Sequence, residues 1–161
     1  MRPIDIEVFS QETIQNFVTD RPHIVISIRE PDSPGYINKP VEIPSSPNCM
    51  GILYLDFCDM DAVKYPKTKD FPEIYKLFSK DDARSILKMV ELTAPYINLI
   101  AVNCVAGISR SAGVAAALAK CLGQSDEKFF NPKGPYRPNM FVYRTLLNLA
   151  MDSRPIGDNN G

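Results

Sequence analysis

Leu99-Ile100-Ala101-Val102-Asn103-Cys104-Val105-Ala106-Gly107-Ile108-Ser109-Arg110-Ser111-Ala112-Gly113 runs from an apolar stretch through a polar turn into a run of small residues. Leu99 to Val102 reads as a short central strand. Cys104 to Ser109 reads as a tight loop. Arg110 to Leu122 reads as an alanine-rich helix, small on every side, that packs closely and is buried. In open α/β sheets, ligands bind outside the carboxyl ends of the strands. Cys104 is placed there, at the point where a strand hands over to a helix.

Outward from this segment the chain alternates strand and helix. Ile4 to Phe9 reads as an opening strand, followed by a helical stretch from Ser10 to about Val18. His23 to Ile28 is a β-branched apolar run and predicts a buried strand. Pro31, Pro34, Pro40, Pro44 and Pro47 then forbid regular interior structure and mark a loop. Gly51 to Phe57 predicts another strand, and the polar stretch Cys58 to Asp70 an exposed loop. The long stretch from Ala62 to Phe78 could shape a lid or a substrate rim, with Lys64, Lys67 and Lys69 read as solvent-facing. A helix starts near Ser79, where Asp82 completes a cap-like start on the positive end of the dipole. Ala83, Ile86, Leu87 and Val90 share one face of it, and Pro95 ends or kinks it. Gly123 is a C-terminal cap for the alanine-rich helix, and Pro132 to Pro138 is another loop. Asn139 caps a last helix with Val142, Leu146, Leu149 and Ala150 facing inward.

This order predicts a single α/β domain: a mostly parallel central sheet of about four to five strands flanked by helices. Residues 1–152 form that domain, and 153–161 form a flexible C-terminal tail. The composition agrees, with 161 residues, 45% of them hydrophobic and 23% charged, enough for one buried core. The formal net charge of -1 gives no bulk attraction to nucleic acid or to an anionic membrane. No apolar run reaches the roughly 18 residues of a membrane span. Met-Arg-Pro-Ile-Asp-Ile-Glu at the start lacks the apolar segment of a secretory signal, so the expected location is cytoplasmic.

Residue counts exclude several chemistries. Cys49, Cys58, Cys104 and Cys121 include no Cys-x-x-Cys pair, so neither a zinc site nor a disulfide framework is expected. His23 is the only histidine, which excludes multi-histidine metal sites. A Ser-His-Asp triad would have to be built on it, and nothing nearby supports one. Catalysis therefore leans on Cys, Asp, Arg and backbone dipoles, with no metal or cofactor.

The loop after Cys104 suits an anion. The backbone N–H groups of Val105, Ala106, Gly107, Ile108, Ser109 and Arg110 cannot all pair within a regular element, and curled round one centre they form a nest. The following helix points its N-terminal dipole at the same centre. Gly107 permits a turn that a Cβ would obstruct. Arg110 supplies a planar fork for two phosphate oxygens. The same field stabilises a sulfur anion at Cys104.

Cys104 to Ser111 resembles the signature loop of the protein tyrosine phosphatase superfamily, Cys-x5-Arg followed by Ser or Thr, and looks closest to its dual-specificity-like branch. Leu55-Asp56-Phe57-Cys58-Asp59 upstream and Pro138-Asn139-Met140-Phe141-Val142-Tyr143-Arg144 downstream agree more weakly, and the match spans roughly residues 23 to 150. The resemblance implies that Cys104 attacks phosphorus and forms a cysteinyl-phosphate. It implies that Arg110 and the amides of Val105 to Arg110 bind the phosphoryl oxygens, and that the Ser111 hydroxyl stabilises the departing thiolate. Ser111 also fits an ordinary helix cap. One position departs from the pattern: Asn103 stands where the family usually has His, and offers hydrogen bonds but no titratable charge.

The resemblance also implies a general acid, an Asp on a loop ahead of the cysteine. Asp59 stands first, just past a strand end, with Asp61 and then Asp56 behind it. All three also fit the role of solvated loop carboxylates. Arg29 and Glu30 read as a structural ion pair ahead of substrate contact, Asn139, Tyr143 and Arg144 as ordinary helix residues ahead of a brace for the Cys104 loop, and Cys58 as an inert half-buried thiol ahead of a redox partner for Cys104. The implied substrates are phosphorylated proteins or small phosphoesters, with phosphate or sulfate able to occupy the loop, and no nucleic acid or membrane. Alternatives are a phosphatase for a small molecule, nucleotide or phosphoinositide, or a non-catalytic phosphate-binding module. Val105, Ala106 and Ile108 carry no Lys, which tilts against phosphoinositides.

Overall fold

β-branched and aliphatic runs build the sheet. The computed structural model describes residues 3–32 and 41–152. The expected tail at 153–161, together with Pro34 and Pro40 of the proline-rich stretch, lies outside the described residues. Strand β1 covers Asp5–Phe9, β2 His23–Arg29, β3 Cys49–Asp56 and β4 Leu99–Asn103. They form one four-stranded sheet in the order β1-β4-β2-β3, and every pairing is parallel. Their carboxyl ends therefore lie along one edge, where Phe9, Asn103, Arg29 and Asp56 finish.

Helices cover both faces. Helix α1 is Gln11–Ile14, α2 Lys80–Thr93, α3 Arg110–Cys121, α4 Glu127–Phe130 and α5 Met140–Asp152. Ile24, Ile26, Ile28, Ile100 and Val102 project to one face and pack with Ala83, Ile86, Val114, Leu118 and Leu146 from α2, α3 and α5. Val25 and Ala101 project to the other, against Ile14 of α1 and Val41. This division follows from chain direction. The path from β1 to β2 and the path from β3 back to β4 run opposite ways across the sheet, so right-handed crossovers must use opposite faces. Burying each large aliphatic side chain in these clusters contributes about 1.5–3 kcal/mol.

Helix α3 is buried from Arg110 to Ala119. Its alanines and Gly113 allow it to lie between the sheet and α5, and a Cβ on Gly113 would come within 2.8 Å of the Asn139 carbonyl oxygen. Ser79 and Asp82 close a capping box at the start of α2. Gly123, at φ +74°, ends α3 as a left-handed residue.

Several expectations need correction. The first helix stops at Ile14 rather than near Val18. Asn16 and Phe17 already donate three residues back, to Thr13 and Ile14, a tightening that ends the α-turn pattern. The stretch expected as plain loop through Asp70 contains a 3-10 turn at Pro66–Asp70, which Pro66 can open because its missing N–H has no helical partner there. Helix α4 is an addition, a single turn too short to show periodicity. No helix among the described residues is long and apolar enough to cross a membrane.

Candidate active site

Cys104 is the first residue past β4, and the following loop is fixed from three sides. Its N–H points to the Phe9 carbonyl of β1 at 3.4 Å, and the Val105 carbonyl accepts from Gln11 N–H at 3.1 Å. Ile108 and Ser109 carbonyls accept from the Arg137 and Asn139 amides at 2.9 and 3.0 Å. Gly107 sits at φ +72°. A Cβ there would lie 2.7 Å from Ser10 N and 2.8 Å from the Phe9 carbonyl carbon, so both the dihedral and the space demand glycine.

Within this loop the sulfur of Cys104 is buried and met by two polar groups. Gly107 N–H donates to it at 3.3 Å, and the Ser111 hydroxyl lies 3.0 Å away. Gly107 thus aims its amide inward, as a nest requires. Arg110 lies alongside with its side chain only 6% exposed. Its Nη1 donates to the Phe57 carbonyl at 2.9 Å and pairs with Glu30 at 2.6 Å. Its Nε, also buried, has no protein partner. A buried donor left unpaired costs roughly 1–3 kcal/mol, so an oxyanion that accepted from it would recover that cost.

The three candidate acids separate clearly. Asp56 ends β3 paired with Arg29 at 2.8 Å. Asp61 accepts the N–H groups of Val63 and Lys64 at 2.9 and 3.1 Å, a local turn that uses up its Oδ1. Asp59 alone reaches the loop: its Oδ1 accepts from the Ser109 hydroxyl at 2.8 Å and from Asn139 Nδ2 at 2.9 Å. Asn139 also donates to the Met60 carbonyl at 3.2 Å and caps α5 by accepting from Val142 N–H at 3.1 Å. Of the two sequence readings of Asn139, ordinary helix packing and a brace for the Cys104 loop, these contacts fit the brace. One buried residue joins the Asp59 loop, the Cys104–Ser109 loop and the last helix.

A solved structure with the same architecture is the crystal structure of Tk-PTP in the active form, a protein tyrosine phosphatase. It matches with a TM-score of 0.50 at 15% identity, covering 92% of this chain and 93% of that one. The fold is protein tyrosine phosphatase-like. No protein-family model and no curated protein matches the sequence, so the likeness is one of backbone.

In this protein tyrosine phosphatase-like fold, two further positions depart from the sequence reading. Glu30 does form a structural ion pair, but with Arg110 at the start of α3, between elements that the sequence does not show to be neighbours. Asn103, expected to offer hydrogen bonds to the loop, makes none. Both its side-chain atoms are buried without partners, as is the hydroxyl of Ser27, its register neighbour on β2. Tyr143 donates to Asp126 at 2.8 Å, tying α5 to the residue before α4. Burial, then the Asp126 hydrogen bond and charge, push its phenol up to about 12. Cys58 is half-buried, and its sulfur faces the Ile74 carbonyl at 3.9 Å. Among the described residues no cluster of His, Cys, Asp or Glu is arranged to hold a metal ion.

Proposed function

We propose that this chain is a phosphomonoester hydrolase of the protein tyrosine or dual-specificity phosphatase type, working through a cysteinyl-phosphate. The observation that carries this reading is the convergence on one loop of a buried sulfur, an inward amide, a buried guanidinium and an aspartate fixed by Ser109 and Asn139. The phosphate dianion sits in the loop, its oxygens taken by the amides of Val105 to Arg110 and by the unpaired Nε of Arg110. Cys104 Sγ attacks phosphorus, the bond to the ester oxygen breaks, and Asp59 delivers a proton to that oxygen as it leaves. Asp59 then takes a proton from an attacking water. The sulfur–phosphorus bond breaks, inorganic phosphate departs, and the Ser111 hydroxyl donates to the released thiolate from its 3.0 Å position.

Val105 and Ile108, 41% and 42% exposed, line the loop's outer face with apolar surface. That favours an aromatic phosphoester such as phosphotyrosine over a polyphosphorylated inositol ring, which needs cations at those positions. The phosphatase domain spans residues 1–152 and acts in the cytosol without a cofactor, on phosphorylated proteins or small phosphoesters. Phosphate and sulfate occupy the loop as product or mimic. Turnover of p-nitrophenyl phosphate tests the reading: Cys104→Ser must abolish it while phosphate binding persists. Undiminished turnover by that variant removes Cys104 as nucleophile.

A further inference from the structure

The segment that leaves the Asp59 loop holds large rings outward. Tyr65 N–H donates to the Asp61 carbonyl, Thr68 to Tyr65, Phe71 to Thr68 and Tyr75 to Phe71, at 2.8 to 3.3 Å, a chain of turns that satisfies its own backbone. Thr68 is buried beneath it and its hydroxyl also donates to the Tyr65 carbonyl at 2.8 Å. Tyr65 and Phe71 nevertheless remain 52% and 45% exposed. With Lys64, Lys67 and Tyr75 they line a cavity of about 360 Å³. The Lys64 ammonium lies over the Tyr65 ring, 5.5 Å from its centroid. A rigid turn that exposes aromatic rings beside cations forgoes burial energy that folding alone would have claimed, and such patches mark contact sites.

Two observations identify the occupant. Residues 62–78 hold four lysines against two carboxylates in a chain whose net charge is -1, so the local field draws acidic partners. The segment that lines the cavity also adjoins the Asp59 loop. The Cys58 amide donates to the Lys76 carbonyl at 2.7 Å and the Tyr65 amide to the Asp61 carbonyl at 2.8 Å, so both ends of the segment are tied to residues beside Asp59.

We propose that this aromatic, lysine-rimmed cavity is a docking site for an acidic peptide segment flanking the phosphorylated residue of a protein substrate, with one aromatic or aliphatic side chain seated between Tyr65 and Phe71. The proposal deepens the phosphatase reading and rests on it for what the loop holds. Single-stranded nucleic acid also stacks on aromatic rings, but it needs a basic track along successive phosphates, which Asp70 and Glu73 interrupt.

The test uses the intact chain, the variant Lys64→Glu/Lys67→Glu and two readouts. Fluorescence anisotropy with an unphosphorylated peptide carrying two glutamates and one phenylalanine should show wild-type binding about 10-fold tighter than to its all-alanine counterpart, and the variant should lose that preference. With the phosphotyrosine form of the peptide, KM should rise about 10-fold in the variant while p-nitrophenyl phosphate kinetics stay unchanged. Equal binding of both peptides by the wild type, or a variant that keeps the preference, overturns the docking site. So does tighter binding of an oligouridylate that the same substitutions abolish. Absence of any phosphoester turnover sinks the phosphatase reading instead, and the anisotropy result still decides the docking site.

Discussion

Asn139 offers a sharp separation between folding and chemistry. Asn139→Ala removes the cap of α5, worth about 1 kcal/mol. It also removes the donors to Asp59 and to the Met60 carbonyl. A hydrogen bond to a charged group is worth about 1.5–3 kcal/mol, and the Met60 carbonyl is left without that donor. These effects share one side chain and do not add fully, so a loss of about 2–4 kcal/mol is expected in urea unfolding. Asn139→Asp retains the cap, because Asp caps as well as Asn. It places a second carboxylate against Asp59, however, so the acid is displaced by repulsion. General acids supply roughly 10²- to 10⁴-fold, and a misplaced one forfeits part of that. Both variants should therefore turn over phosphotyrosine about 10- to 100-fold more slowly, with a smaller loss on p-nitrophenyl phosphate, whose leaving group needs less protonation. Asn139→Asp should be the more stable of the two and no more active. Variants that lose stability yet keep the wild-type ratio of the two substrates would refute the claim that Asn139 positions the acid.

Other perturbations test neighbouring parts of the account. Gly107→Ala, forced against Ser10 and Phe9 at a positive φ, should cost at least about 1–3 kcal/mol and abolish phosphate binding by calorimetry; unchanged affinity would mean the loop tolerates a different path. Ser27→Ala deletes a buried hydroxyl that has no partner, so its urea midpoint should rise, by about 1 kcal/mol in stability, and a fall would reveal a bond this hydroxyl makes. Tyr143 is held as the neutral phenol, raised from 10.0 to about 12 in the fold. Its contribution is complete below the unfolded value and lost as pH climbs through the folded one. Tyr143→Phe should therefore be less stable than wild type at neutral pH, and the gap should narrow between pH 10 and 12. A gap that is constant across that window removes Tyr143 as its source.

Local patterns carried much of the fold. His23–Arg29 and Leu99–Asn103 are β-branched or aliphatic enough to announce themselves, and their ends fall within a residue of the expected ones. The turn from β4 through Gly107 into α3 was legible because a strand, a glycine and a helix start occur within a dozen consecutive residues. The resemblance called for an acid ahead of Cys104, and the position of Asp59 just past a strand end ranked it before Asp61 and Asp56. What stayed hidden depends on distant neighbours. The Glu30–Arg110 pair exists because β4 inserts between β1 and β2, which no local pattern states. Asn139 meets Asp59 across 80 positions of chain, and its sequence context, a cap before an apolar helix, does not name Asp59 as the partner of such a brace. The outward rings of Tyr65 and Phe71 were equally silent, since a polar stretch with scattered aromatics reads the same whether it is folded back on itself or extended.

A phosphorylated sulfur would be the most direct proof of the mechanism. Ser111→Ala takes away the hydroxyl 3.0 Å from Cys104, so the second step should slow and the intermediate accumulate. Acid quenching of this variant during turnover, followed by digestion and mass spectrometry, should find one phosphoryl group on the peptide that contains Cys104. A phosphoryl group on any other residue, or turnover with Cys104 unmodified at every time point, would contradict the account.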